Sequence, residues 1–127
     1  MVQVGTYLNV VDNSGVRVVY CIRVLGGYKR RYASLGDMLV VVVNRLRKKR
    51  RKLLKLKKGQ LINALIVRTK VNKSYFNNDK TAFFENSVVL LNKKNQLFGT
   101  RIFGILPENL RYSKFMKIAI LSKGLKF

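Results

Sequence analysis

The sequence predicts a mainly β fold: a small closed barrel of five or so strands, followed by short C-terminal helices. Three observations carry this. Short apolar segments with period-two alternation or β-branched composition recur through the first 91 residues. Turn-forming clusters separate them at short spacing. The pattern then changes near Pro107, where residues suited to a first helical turn appear. Closure is how so small a sheet avoids exposed edges, although the same pattern also permits a two-layer sandwich.

Taken in order, residues 6–11 read as a strand and Asp12-Asn13-Ser14-Gly15 as a tight turn in which Gly15 can take positive φ. Residues 16–24 alternate, with Val16, Val18, Tyr20, Ile22 and Val24 on one face and Arg17, Val19, Cys21 and Arg23 on the other. A loop rich in Gly, Tyr and Arg fills 26–37. Residues 38–44 are apolar and short enough for a strand buried on both faces. In the basic run 45–58, Leu46, Leu53, Leu54 and Leu56 make no continuous helical stripe, so two extended arms and a protruding loop are expected rather than an amphipathic helix. Gly59 ends the run and residues 61–69 form the next strand. A hairpin should turn at Asn77 and Asn78, between Tyr75-Phe76 and Phe83-Phe84. Residues 87–91 are one more apolar strand. Pro107 and Glu108 suit a helix start, and Ser113 an N-cap before a helix over 114–121. No linker interrupts the chain, which gives one domain, 1–127, with a barrel over about 1–105 and a helical tail over about 106–127.

Composition bounds the function. Apolar residues make up 48% of the chain, and the single Pro and nine Gly argue for a packed core rather than disorder. Yet 27 Lys and Arg stand against 5 Asp and Glu, a net charge of +22. A compact fold carrying so much uncompensated charge calls for a dense polyanion as partner, which points to nucleic acid. The longest apolar run, 38–43, is far too short to span a bilayer, so no membrane is expected. There is no His, and the lone Cys21 can build neither an intrachain disulfide nor a thiolate zinc site. With Asp12, Asp37 and Glu108 each beside turn or helix-start residues, little remains for acid–base chemistry. No enzyme, metal or cofactor is expected, and Cys21 reads as a small buried side chain.

The strongest candidate site is the basic run, with ten cations in fourteen positions and no carboxylate: Arg45, Arg47, Lys48, Lys49, Arg50, Arg51, Lys52, Lys55, Lys57 and Lys58. A solvated charged face would be interspersed with acidic residues, and a nuclear-localisation signal is the cheaper alternative. Lys meets phosphate as a mobile point charge while Arg grips it in a fork and stacks on bases, a mixture suited to structured RNA. The second candidate is the Gly26-Gly27 loop, where Tyr28, Lys29, Arg30 and Arg31, with Tyr32, combine close backbone approach, charge and stacking surface. Its plain alternative is a surface loop whose tyrosines cap the core. Arg17, Arg23, Arg68 and Lys70 complete the expected RNA contacts. The segment Gly99 to Gly104, GTRIFG, reads unaided only as a turn presenting Thr100 and Arg101. On composition alone, a free-standing nucleic-acid-binding barrel or RNA chaperone fits almost as well as a component of a larger particle.

A series of motifs gives a sharper reading. LNVVDNSG at residues 8–15, VLGG at 24–27, RRYA at 30–33 with Gly36 and Asp37, IVRTK at 66–70, VLLN at 89–92, GTRIFG at 99–104 and KFMKI at 114–118 keep order and nearly keep spacing. The chain resembles the large-subunit ribosomal protein L-fourteen family of bacterial and organellar type. The resemblance implies a five-stranded barrel with a projecting hairpin and C-terminal helices, and a structural role in the large ribosomal subunit. It implies binding to large-subunit rRNA, contact with neighbouring large-subunit proteins, and a bridge to small-subunit rRNA. It also implies a surface used by a ribosome-silencing factor, whose matching positions here are Thr100, Arg101 and Lys117.

The chain departs from that family in three places. Asn78 stands where the hairpin normally turns on Gly, the basic run replaces a shorter loop with a Pro and an acidic residue, and Ile105 stands where Pro is common. Abundant Lys, Asn, Phe, Tyr, Ile and Leu with no Trp suit an A- and T-rich genome, and the first residues show no signal or import leader. A mitochondrial ribosome served by an organelle-encoded gene is therefore the expected location, ahead of a bacterial or plastid one.

Overall fold

In the computed structural model, residues 1–47, 56–70, 73–74, 80–107, 110 and 116–126 are described. The strands are β1 Val2–Gln3, β2 Tyr7–Val10, β3 Val16–Val24, β4 Tyr32–Ala33, β5 Met38–Leu46, β6 Leu61–Arg68, β7 Lys73–Ser74, β8 Lys80–Thr81, β9 Ser87–Leu91 and β10 Ile102–Pro107. A short helix, α1 Met116–Leu121, and a last strand, β11 Ser122–Lys126, follow. Five strands close into a barrel in the order β2-β3-β5-β6-β9, which decides between barrel and sandwich. Each step from β2 to β9 is antiparallel. Because the number of strands is odd, the first and last run the same way, and the closing seam β2–β9 is necessarily parallel.

The barrel has two apolar layers, one inside and one outside. Leu8, Val19, Cys21, Leu39, Val41, Ala64, Ile66, Val88 and Leu90 belong to the interior cluster. Leu65, Val67, Val89 and Leu91 belong to a second cluster with Ile102, Leu106, Leu110 and Ile118, contributed by β10, α1 and the segment between them. The C-terminal segment thus covers the outer face of β6 and β9. All five residues of β9 are consequently buried, whereas β5, the strand expected to be buried on both faces, alternates between buried and half-buried positions.

Two further expectations are corrected. The regular alternation of 16–24 does not survive pairing with β5, where the register shifts between Val16 and Val19 and again between Cys21 and Arg23. These bulges turn Val16, Val19, Cys21 and Val24 inward and leave Tyr20 half-buried and Ile22 exposed. Cys21 is buried as expected, and burial pushes its thiol pKa up. The tail is not a run of helices. Residues 102–107 form β10, which pairs in parallel with β11, and α-helix is confined to α1 among the described residues. The β-branched and aromatic side chains of Ile102, Phe103 and Ile105 outweigh the helix-start signal of Pro107, which ends the strand where its missing N–H costs least. Glu108, Ser113 and Lys114 lie outside the described residues, as do Tyr75, Phe76, Asn77 and Asn78 of the expected hairpin turn. The arms of that hairpin are β7 and β8, paired Lys73 with Thr81 and Ser74 with Lys80.

The seam is completed by a side chain. Val11 N–H donates to the Val88 carbonyl at 3.2 Å, and the next donor along β9, Leu90 N–H, goes to Asp12 Oδ2 at 3.1 Å. Asp12 Oδ1 accepts from Ser14 N–H at 3.1 Å and from the Ser14 hydroxyl. Asp12 is fully buried, and its desolvation raises its pKa above the ordinary 3.8 against the opposing pull of the Ser14 and Leu90 hydrogen bonds and the Arg47 charge. Asp12→Ala should lower the free energy of unfolding by about 1–3 kcal/mol, since it strands the buried Leu90 N–H, as measured by chemical denaturation. The raised pKa fixes the sign of the pH effect. The stabilisation it brings is complete below 3.8 and is lost as pH rises through the folded-state value. The stability of the native chain relative to the non-titrating Asp12→Asn variant should therefore fall as pH is raised from 3.8 in a denaturation series.

Candidate nucleic-acid interface

At one end of the β3–β5 ladder the turn after β2 gathers three predicted regions. Gly15, at φ 90°, offers its carbonyl to Arg47 N–H at 2.9 Å, which fixes the point where the basic run leaves the barrel. Asn13 Oδ1 accepts from Thr100 N–H at 2.7 Å and Arg101 N–H at 3.3 Å, while its Nδ2 donates to Thr100 Oγ1 at 2.8 Å. A Cβ on Gly99 would come within 2.6 Å of Asn13 Oδ1 and 3.2 Å of the Asn13 backbone nitrogen, so only glycine lets the two segments meet. Phe103 N–H donates to the Val11 carbonyl at 2.8 Å, and the Arg47 guanidinium lies 5.4 Å from the Phe103 ring centre. Exposed Thr100 and Arg101 therefore lie near the root of the basic run.

The basic run is rooted at both feet. Leu46 packs against the interior cluster and Leu56 is buried within it. Val43 N–H donates to the Gln60 carbonyl at 3.1 Å and Gly59 N–H to the Val43 carbonyl at 2.9 Å. Lys57 and Lys58 are exposed, and Lys48, Lys49, Arg50, Arg51, Lys52 and Lys55 lie outside the described residues. Arg17 sits in the bulge between the Val16–Leu46 and Val18–Arg45 pairs, next to Arg45. Both are exposed, and like charges on adjacent ladder positions repel unless an anion joins them.

The loop 26–37 lies at the other end of the same ladder, about 26 Å along β3. Tyr28 is 91% exposed and the Lys29 ammonium lies 5.4 Å from its ring centre. Arg31 is exposed, while Arg30 is partly engaged, donating to Asp37 Oδ2 at 2.5 Å and to the Tyr32 carbonyl at 3.2 Å. Pairing of β4 with β1 ties the end of the loop to the barrel. The two basic regions are thus separate surfaces.

Arg68 is spent on the fold. Its guanidinium donates to the Ile105 carbonyl at 2.8 Å and to the Phe103 carbonyl, and stands 3.9 Å from Glu85. Gly104, at φ 84°, lies against that guanidinium, where a Cβ would collide with it. Burial lowers the Arg68 pKa while Glu85 opposes the shift. Lys70 is exposed, with its N–H on Asn86 Oδ1 at 2.9 Å, and Arg23 is exposed on β3. Lys117 is exposed on α1 beside buried Ile118. Among the described residues two ion pairs form, Arg30–Asp37 and Arg68–Glu85, and no cluster of His, Cys, Asp and Glu could hold a metal ion. No helix among them is long and apolar enough to cross a membrane.

A family model described as Ribosomal protein L14p/L23e matches residues 1–125. The chain belongs to this family. As a member of L14p/L23e it is a structural constituent of the large ribosomal subunit, acting in translation on the ribosome, in a family that is structural rather than catalytic. The family motifs at 8–15 and 99–104 are the two segments that Asn13 joins.

The sequence gives no sign that Asn13 and Gly99 meet. Asn13 reads as ordinary turn chemistry, and its partners lie 87 and 88 residues away, where local pattern carries no signal. Gly99→Ala should destabilise the protein by about 1–3 kcal/mol through overpacking. Asn13→Ala should leave the barrel folded but speed amide exchange at Thr100 and Arg101, read by hydrogen exchange, because it removes three hydrogen bonds worth about 0.5–1.5 kcal/mol each.

Proposed function

We propose that the chain binds large-subunit rRNA through two basic surfaces. One comprises Arg17, Arg45, Arg47, Lys57 and Lys58 with the run between them, and the other Tyr28, Lys29 and Arg31. Arg23 and Lys70 add further contacts. The observation that carries the reading is that, among the described residues, Arg17, Arg23, Lys29, Arg31, Arg45, Arg47, Lys57, Lys58 and Lys70 are exposed and belong to neither ion pair, the described acids being committed to buried or local hydrogen bonds. Within the particle, Thr100, Arg101 and Lys117 contribute to the intersubunit face, to a bridge with small-subunit rRNA and to the surface that a silencing factor covers, and adjacent large-subunit proteins complete the surroundings. Residue bias supports a mitochondrial ribosome, to be checked by the location and code of the gene.

Neutralising about eight phosphates would give a salt slope of about −7 and weaken binding about 10⁴-fold between 50 and 200 mM salt. Filter binding to large-subunit rRNA fragments should show that slope, and a flat response would contradict the reading. Sedimentation in moderate salt should place the chain with large subunits, whereas a free-standing chaperone would stay near the top of the gradient. Replacing Arg47, Lys48, Lys49, Arg50, Arg51 and Lys52 by Ser should lower subunit occupancy more than thermal stability, and normal occupancy with normal joining would reject the run as an anchor. Arg101→Glu should weaken subunit joining with incorporation intact, and lost incorporation would mean that Arg101 serves assembly instead.

A further inference from the structure

The C-terminal segment covers the outside of β6 and β9, and among the described residues no such layer covers another part of the barrel wall. There Tyr7, Tyr20, Val42 and Leu61 are successive register partners across β2, β3, β5 and β6. Direct cross-strand partners project from the same face, so the four side chains form one row about 14 Å long. None belongs to either buried cluster. Tyr7 and Leu61, at its two ends, are each 62% exposed, and the Tyr7 and Tyr20 rings meet edge to face at 5.1 Å. Beyond Leu61 the row opens into a concavity of about 540 Å³, lined in part by Val40, Leu61, Asn63, Phe98 and the turn bearing Lys93 and Lys94.

Charge says what this surface fits. Arg45 pairs with Val18, two residues from Tyr20 along β3, and Arg23 pairs with Val40 at the concavity. Lys93 and Lys94 are exposed on the far side. Glu85, the carboxylate reaching toward this wall through Asn9, is already held by Asn9 Nδ2 at 2.7 Å and Ser87 Oγ at 3.0 Å. An apolar protein face laid here would strand the flanking cations without counter-charge, and a duplex would present phosphates while hiding its base faces from the rings. Unpaired nucleotides satisfy both features, with bases on the aromatic row and phosphates on the cations. We propose that the row and its concavity seat an unpaired RNA segment, with bases against Tyr7 and Tyr20 and phosphates met by Arg23, Arg45, Lys93 and Lys94. This rests on the RNA-binding reading above and names the state of the RNA at one further surface.

The test uses the full chain with two probes, a mixed-sequence single-stranded RNA of about eight nucleotides and an RNA duplex of about 16 base pairs. Combining Tyr7→Ser with Leu61→Ser, both at exposed positions, should weaken single-strand binding about tenfold or more and leave duplex binding within about twofold. Tyr7→Phe should keep single-strand affinity. Equal effects on both probes, or no effect on either, would overturn the proposal while leaving salt-dependent RNA binding in place. Reduced occupancy of the double variant in large subunits, with its affinity for both probes intact, would assign the row to a neighbouring protein and also overturn it. Absence of salt-dependent binding by the native chain would instead remove the RNA-binding reading itself.

Discussion

The parallel seam between β2 and β9 is the constraint on which the rest of the molecule depends. An odd-stranded barrel built from antiparallel steps must close on a parallel pair, and this seam is short, with two registered residue pairs, Asn9–Ser87 and Val10–Val88. Asp12 extends it by receiving Leu90 N–H just where the chain turns away toward β3. Its other oxygen fixes that turn through Ser14. Next to it, Asn13 clamps the 99–101 segment. One dipeptide therefore closes the barrel, shapes the first hairpin and positions the exposed Thr100-Arg101 pair, at the cost of burying a carboxylate whose pKa burial pushes upward.

Charge follows a similar logic. The described carboxylates are turned to internal work: Asp12 at the seam, Asp37 in holding Ser34 and Arg30, Glu85 in holding Asn9, Ser87 and Arg68. None is left to interleave with the exposed cations of the basic surfaces. Repulsion between positions such as Arg17 and Arg45 is then unrelieved by any described carboxylate. An external polyanion would neutralise it, which is the electrostatic ground of the RNA-binding proposal.

Much of this was legible in the sequence because it rests on local rules. The limits of β3 and β9 follow from apolar runs bounded by turn residues, and the Asp-Asn-Ser-Gly turn from its chemistry. The failures have a common cause in tertiary pairing. Bulges in β3 turn Val19 and Cys21 inward in place of Val18, Tyr20 and Ile22, a shift that alternation cannot reveal because it is imposed by β5. β5 and β9 look equally apolar, yet only β9 is covered on both sides, because the covering layer arrives from residues 102–118. The tail reads as helix from Pro107 and Ser113, but residues 102–107 form β10 with a parallel partner in β11, while α1, Met116–Leu121, falls inside the helix expected over 114–121. Arg68 looks in sequence like the other cations, and its carbonyl partners Phe103 and Ile105 are 35 and 37 residues away.

The outer layer also divides the barrel wall into two surfaces with different fates. Over β6 and β9, Leu65, Val67, Val89 and Leu91 are sealed by Ile102, Leu106, Leu110 and Ile118. Arg68 fastens that seal by donating to the carbonyls on both sides of Gly104, a position where only glycine leaves room for the guanidinium. Among the described residues no second layer lies over β2, β3 and β5 like the one over β6 and β9, and their outward residues remain mixed: tyrosines and aliphatics in register, arginines at the margins. Were that wall merely solvated, polar residues would serve better than Tyr7 and Leu61 at 62% exposure. Were it a purely apolar interface, Arg23 and Arg45 would oppose it. A surface with ring faces beside unpaired cations is matched by a partner that carries flat bases and phosphates on one strand, so the same excess charge that marks the ends of the barrel extends its reach along the wall between them.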